Sequence, residues 1–105
     1  MTDKRIVFST VGSKEEASKI ANALVDRRLA ACVNIVPQIE SVYRWKDKIE
    51  TAEEWLLLIK TTADQFEAVR DAIKELHSYE LPECVAIAVE GGSKEYLKWI
   101  EDSVG

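Results

Sequence analysis

Residues 5–11 read R-I-V-F-S-T-V, a β-branched run cut off by Gly12, and this pattern predicts a first strand. The hydrophobic period then lengthens to that of a helix, with Ala17, Ile20, Ala21, Leu24 and Val25 recurring at helical spacing. Ser13 followed by Glu16 forms a capping box, in which each side chain satisfies a backbone N–H left free at a helix start. The spacing therefore predicts a helix over 14–28, with Arg27 and Arg28 complementing its C-terminal dipole.

Two strand-like stretches, 31–45 and 49–62, then face each other across the polar tip Lys46-Asp47-Lys48. At about 3.3 Å per residue, arms of roughly 14 residues reach about 45 Å, whereas typical strands run about 17–20 Å. The far half of this hairpin carries Val42, Tyr43, Trp45, Ile49 and Trp55, more apolar surface than a lone ribbon leaves in water, so the pattern implies an oligomer. Pro37 cannot donate to the ladder and predicts a bulge or an exposed edge. Beyond it, Ser41, Tyr43 and Trp45 share one face and Val42 and Arg44 the other. The returning arm ends in Trp55-Leu56-Leu57-Leu58-Ile59, a run that reads as buried on both faces.

Phe66, Val69, Ile73 and Leu76 place a second helix over 63–77, capped by Thr61 or Thr62, and residues 78–82 break it. Residues 83–90, E-C-V-A-I-A-V-E, supply a fourth strand, and Ser93 caps a short helix that turns Leu97 and Ile100 inward. The order βαββαβα, with right-handed crossovers, predicts an α+β ferredoxin-like sandwich with an extended central hairpin and a C-terminal helix. Its helix-free face is apolar enough to require another subunit's sheet as cover.

A chain of 105 residues holds one domain, 1–105, with one core. A net charge of −5 with acidic and basic residues interspersed offers no footprint for nucleic acid or anionic lipid. Apolar runs such as 55–59 are far too short to cross a membrane, and no signal-peptide core follows the charged start, so a cytoplasmic setting is expected. Cys32 and Cys84 lack the close spacing of zinc or redox motifs and read as small buried hydrophobes. No serine elbow, phosphate loop or Cys-His motif is present, and an enzyme is not expected.

The segments A-C-V-N-I (31–35), S-V-Y-R-W-K (41–46), K-I-E (48–50), L-I-K-T (58–61), H-S-Y-E-L-P-E (77–83) and Y-L-K-W-I (96–100) together resemble the CutA family of divalent-cation tolerance proteins. The resemblance covers essentially the whole chain. It implies a cytoplasmic homotrimer whose long hairpins interlock with neighbouring sheets, related in architecture to the PII signalling proteins. It also implies a link to copper or another divalent metal, bound at or near subunit interfaces. Relatives with a proposed copper site carry Cys on the first strand and a His-His pair where this chain has Ser9, Leu76 and His77, so His77 alone remains as metal ligand. Relatives also commonly place Gly where Asp47 stands, a position Asp can fill in the left-handed region.

His77 ends the second helix, where its imidazole either satisfies free carbonyls or binds a metal. Lys60 follows an apolar run and needs a partner, either Glu83 or a group in an inter-subunit cleft. The expected small-ligand or metal pocket combines His77, Lys60, Tyr79 and Glu83 of one subunit with Tyr43 or Trp45 of another. The competing expectation is that the same residues only pack the interface. The functional expectation is a metal-binding tolerance trimer, and the alternative is a PII-like trimer responding to a small ligand.

Overall fold

The computed structural model describes residues 1–105. The elements follow as β1 (Lys4–Val11), α1 (Lys14–Asp26), β2 (Cys32–Trp45), β3 (Lys48–Thr62), α2 (Phe66–Leu76), β4 (Val85–Ala88) and α3 (Lys94–Ser103), with a 3-10 turn, Ala63–Gln65, leading into α2. The strands form one antiparallel sheet in the order β2-β3-β1-β4. The fold is mixed α+β, as the alternating periods predict.

Register decides what is buried. Val7 pairs with Ile59, Ser9 with Leu57 and Val11 with Trp55, so these odd-numbered residues share the face that meets α1 and α2. There Val7, Val11, Leu57 and Ile59 close against Ile20, Leu24, Val69 and Ile73, while Ala17 and Ala72 let the helices approach. Ser9 lies in the same layer, fully buried, and its hydroxyl has no hydrogen-bond partner. An unpaired buried hydroxyl costs about 1–3 kcal/mol. Ser9→Ala is therefore expected to raise stability by about 1 kcal/mol in urea unfolding, and a destabilised variant would show that the hydroxyl is satisfied.

The opposite face carries Ile6, Phe8, Leu56 and Leu58, all only half-buried, with Val85 and Ile87 of β4 exposed beside them. α3 covers one end of this face. Lys60 Nζ donates to Tyr96 Oη at 3.3 Å and Lys4 Nζ to Glu101 at 3.2 Å, while Ile100 is buried. The rest of the face lies open, as expected from its apolar sequence.

Several boundaries differ from the sequence expectation for local reasons. α1 stops at Asp26 rather than at 28 because Arg28 is left-handed, with φ of 59°. Its N–H reaches Val25 O and the next N–H, of Leu29, reaches Leu24 O, a Schellman closure built without glycine. Arg28 also binds the carbonyls of Asp102 and Gly105 through its guanidinium, fastening the C-terminus to this turn. Neither threonine caps α2 with its side chain: Thr61 donates to Leu29 O at 2.6 Å, and Thr62 precedes a 3-10 turn without a side-chain bond. β4 is shorter than 83–90, although Val89 still pairs through its backbone with Lys4 and Thr2.

The hairpin is as long as predicted, with arms of 14 and 15 residues in a molecule 44 Å along its main axis. Lys48 pairs with Trp45, which narrows the tip to Lys46 and Asp47, both left-handed at φ of 50° and 67°. That is the geometry of the two-residue turn whose twist matches the strands, and Asp47 fills its place without glycine. Val42 and Ile49 remain 65% and 68% exposed, so the chain alone does not cover the ribbon.

Candidate functional site

The bulge expected at Pro37 falls between Val36 and Ile39, where Val36 pairs with Leu56 but Ile39 with Glu54. One extra residue on β2 reverses which of its side chains share a face with a given β3 residue. Before the bulge, even-numbered residues of the two strands are partners. Beyond it, Ser41, Tyr43 and Trp45 pair with Ala52, Glu50 and Lys48, so they stand on the face of Glu54. Gln38, left-handed at φ of 56°, absorbs the step.

Across from this face runs the loop of residues 78–83, and together they enclose a cleft of about 410 Å³. Its lining comprises Thr10, Tyr43, Trp45, Glu54, Tyr79, Glu80, Leu81 and Glu83. Three of the residues expected in a ligand pocket, Trp45, Tyr79 and Glu83, are thus brought together. The cleft forms within one chain, whereas the sequence placed Tyr43 or Trp45 opposite the others only across a subunit boundary.

Tyr79 Oη donates to Glu54 Oε2 at 2.6 Å. Glu54 is only 5% exposed, and no lysine, arginine or histidine forms an ion pair with it. Burial, and then the bond to Glu54, pushes the Tyr79 phenol well above the usual tyrosine range. A raised phenol stabilises the fold up to its unfolded pKa of about 10 and loses that contribution as pH climbs through the folded value. Phenolate absorbance titration is expected to show a late-ionising tyrosine that Tyr79→Phe removes and Glu54→Gln brings forward; an unchanged Glu54→Gln curve would refute the coupling. Gly12 makes room for this ring, since a Cβ there would lie 3.1 Å from Tyr79 Oη.

His77 lies beneath Tyr79, its side chain sealed from solvent, with ring centroids 4.6 Å apart. Its Nε2 is 2.7 Å from the Thr10 carbonyl, which only accepts, so Nε2 carries the proton. Nδ1 accepts from the Tyr79 N–H at 3.1 Å. Both nitrogens are thereby committed to backbone groups, and His77 bridges β1 and the 78–83 loop. Its backbone N–H closes α2 on Ile73 O, but its ring caps no carbonyl of its own helix. Glu16 completes the support by accepting from Ser78 N–H at 2.6 Å and from Ser78 Oγ at 3.0 Å.

Lys60 is elsewhere. Its ammonium sits 3.3 Å from Tyr96 Oη and 5.5 Å from the Tyr96 ring centroid, so its partner is α3 and not Glu83. No three His, Cys, Asp or Glu side chains converge to hold a metal ion, and the residues present do not fit a preformed metal centre within one chain. Cys32 and Cys84 are free and half-buried rather than fully buried, and burial raises the Cys84 thiol, keeping it protonated. Glu54, Thr10, Glu80 and Leu81 were missed from sequence. The available signal was Pro37 inside a strand, which foretells the extra residue that brings Glu54 to the aromatic face.

An α+β chain with an over-long hairpin, an open apolar sheet face and an aromatic, carboxylate-bearing cleft is the class that fold and site define. Residues 5–103 match the family described as "CutA1 divalent ion tolerance protein", and the chain belongs to that family. It is 46% identical to the "Divalent-cation tolerance protein CutA" of Thermus thermophilus over 97% of this chain and 99% of that one. It is 44% identical to the chloroplastic CutA of Arabidopsis thaliana over 93% of this chain, which spans 54% of that relative. Among solved structures, the CutA of Xylella fastidiosa superposes with a TM-score of 0.96 at 43% identity, covering 99% of this chain and 100% of that one. The Thermus thermophilus structure gives 0.95 at 46% identity, with coverage of 97% and 99%. No helix of the chain is long and apolar enough to cross a membrane.

Proposed function

We propose that the chain serves divalent-cation tolerance as a homotrimer of ferredoxin-like subunits that responds to a small ligand in the aromatic cleft, in the manner of a PII-like sensor. The observation that carries this is the pairing of a roomy cleft with a buried, uncompensated Glu54, beside a histidine whose ring is already spent on backbone bonds. The ribbon face of Val42 and Ile49, turned away from the cleft, and the half-covered sheet face support assembly, since both are surfaces a second and third subunit would bury. Two unpaired thiols support a cytoplasmic setting. No catalytic step is part of the proposal.

Direct binding of copper or another divalent metal at or near subunit interfaces is the second reading. Glu54, Glu80 and Glu83 favour it, three carboxylates in a cleft lined by no lysine or arginine. Under that reading His77 joins the site only by releasing a backbone partner.

Sedimentation should give a trimer, and calorimetric titration with Cu(II), Zn(II) and a nucleotide panel should separate the two readings. The small-ligand reading expects no stoichiometric metal heat. A tight metal isotherm lost in His77→Ala supports the metal reading and overturns the first, and a folded monomer sinks the assembly.

A further inference from the structure

Resting on the small-ligand reading, we propose that the cleft between the hairpin and the 78–83 loop binds a small organic ammonium ion. Glu54 would neutralise its charge and Tyr43, Trp45 and Tyr79 would receive its alkyl groups. The starting point is electrostatic. Of the Glu54 carboxylate, only Oε2 is occupied, by the Tyr79 hydroxyl, and no cation approaches it. Its other oxygen is not sealed in, because the one fully enclosed side-chain polar atom without a partner is Ser9 Oγ. A carboxylate almost wholly removed from water, with a free oxygen reaching a cleft, favours a cation as its missing counter-charge.

The walls select which cation. Tyr43, Trp45 and Tyr79 line the cleft and are 43%, 37% and 37% exposed, so ring surface is bare for a ligand. Aromatic faces attract weakly hydrated cations through their quadrupole, and quaternary ammonium is the ion that such cages take best. A divalent metal needs several hard donors to replace its water, and no such set converges here. Glu80 and Glu83 at the rim bias the approach towards cations, with no basic side chain in the lining to oppose them. One of these rings already receives an ammonium: Lys46, at the hairpin tip, holds its Nζ 5.7 Å from the Trp45 ring centroid.

The test uses the full chain in its native assembly, titrated with tetramethylammonium chloride and, separately, with neopentyl alcohol of the same shape and no charge. Calorimetry gives the affinity, and the Trp45 indole resonance, assigned through Trp45→Phe, reports the location. Tetramethylammonium should bind saturably and shift that resonance, and neopentyl alcohol should bind at least tenfold more weakly. Glu54→Gln should cost at least tenfold in affinity, whereas Lys46→Met, which removes the internal competitor, should leave binding unchanged or tighten it. Equal binding of the alcohol, an unaffected Glu54→Gln, or no saturable shift overturns the proposal. Its failure is distinct from that of the assembly: a monomer that still binds tetramethylammonium removes the trimer alone, and a trimer blind to it removes the ammonium site alone.

Discussion

On the proposed assembly, Leu58→Asp is expected to convert a sedimenting trimer into a folded monomer. Leu58 stands on β3 opposite Phe8 and Asn34, on the sheet face that α1 and α2 do not cover. It is half-buried, and the apolar side chains around it, Phe8 and Leu56 with Val85 of β4, continue the open patch. A carboxylate there remains hydrated in the separate subunit but loses its water when another sheet closes over it. An unpaired charge buried at an interface costs several kcal/mol, and about 4 kcal/mol weakens association about a thousandfold. Circular dichroism should stay native while the sedimentation coefficient falls. A variant that remains trimeric would place the subunit contact on another surface.

Leu57→Ala, one residue earlier on the same strand, should fail differently. Leu57 is fully buried and faces the helices, in register with Ser9 and Ile35. Truncating a buried leucine costs about 2–5 kcal/mol, from lost transfer energy and the cavity left behind. A domain of this size has about 5–15 kcal/mol in total, so the loss is a large share. Urea unfolding should show the midpoint drop, at matched protein concentration because the proposed assembly would link stability to concentration. A loss below about 1 kcal/mol would mean that the core closes over the gap.

These two neighbours show how much of the fold the sequence carries. The β-branched run 5–11 and the apolar run 55–59 locate two strands, whereas the sheet register divides them into a helix-facing side with Val7 and Ile59 and an open side with Phe8 and Leu58. The helix start at Ser13 was legible because one side chain and one N–H, Ser13 Oγ and Glu16 N, decide it locally. The reciprocal half of the expected capping box is not made, since the Glu16 carboxylate accepts from Ser78 instead. What escaped the sequence depends on long-range placement. Lys60 needed a partner, but that Tyr96 would supply it depends on α3 crossing the open face, which no local period encodes. His77 read as a ligand or a cap because its type suits both, and only the approach of Thr10 from β1 commits its ring. Of the candidate site, the aromatic wall and Glu83 were legible, whereas Glu54 required knowing the consequence of the bulge as well as its presence.

That consequence gives position 38 unusual leverage. Deleting Gln38 would restore one-to-one pairing without moving any partner beyond it, because Ile39 already faces Glu54 and Trp45 already faces Lys48. Tyr43 and Trp45 would keep their face, but the ribbon would lose the bend and added twist that a bulge imposes. Position 38, outside the cleft, thus sets the angle at which the aromatic wall meets the 78–83 loop.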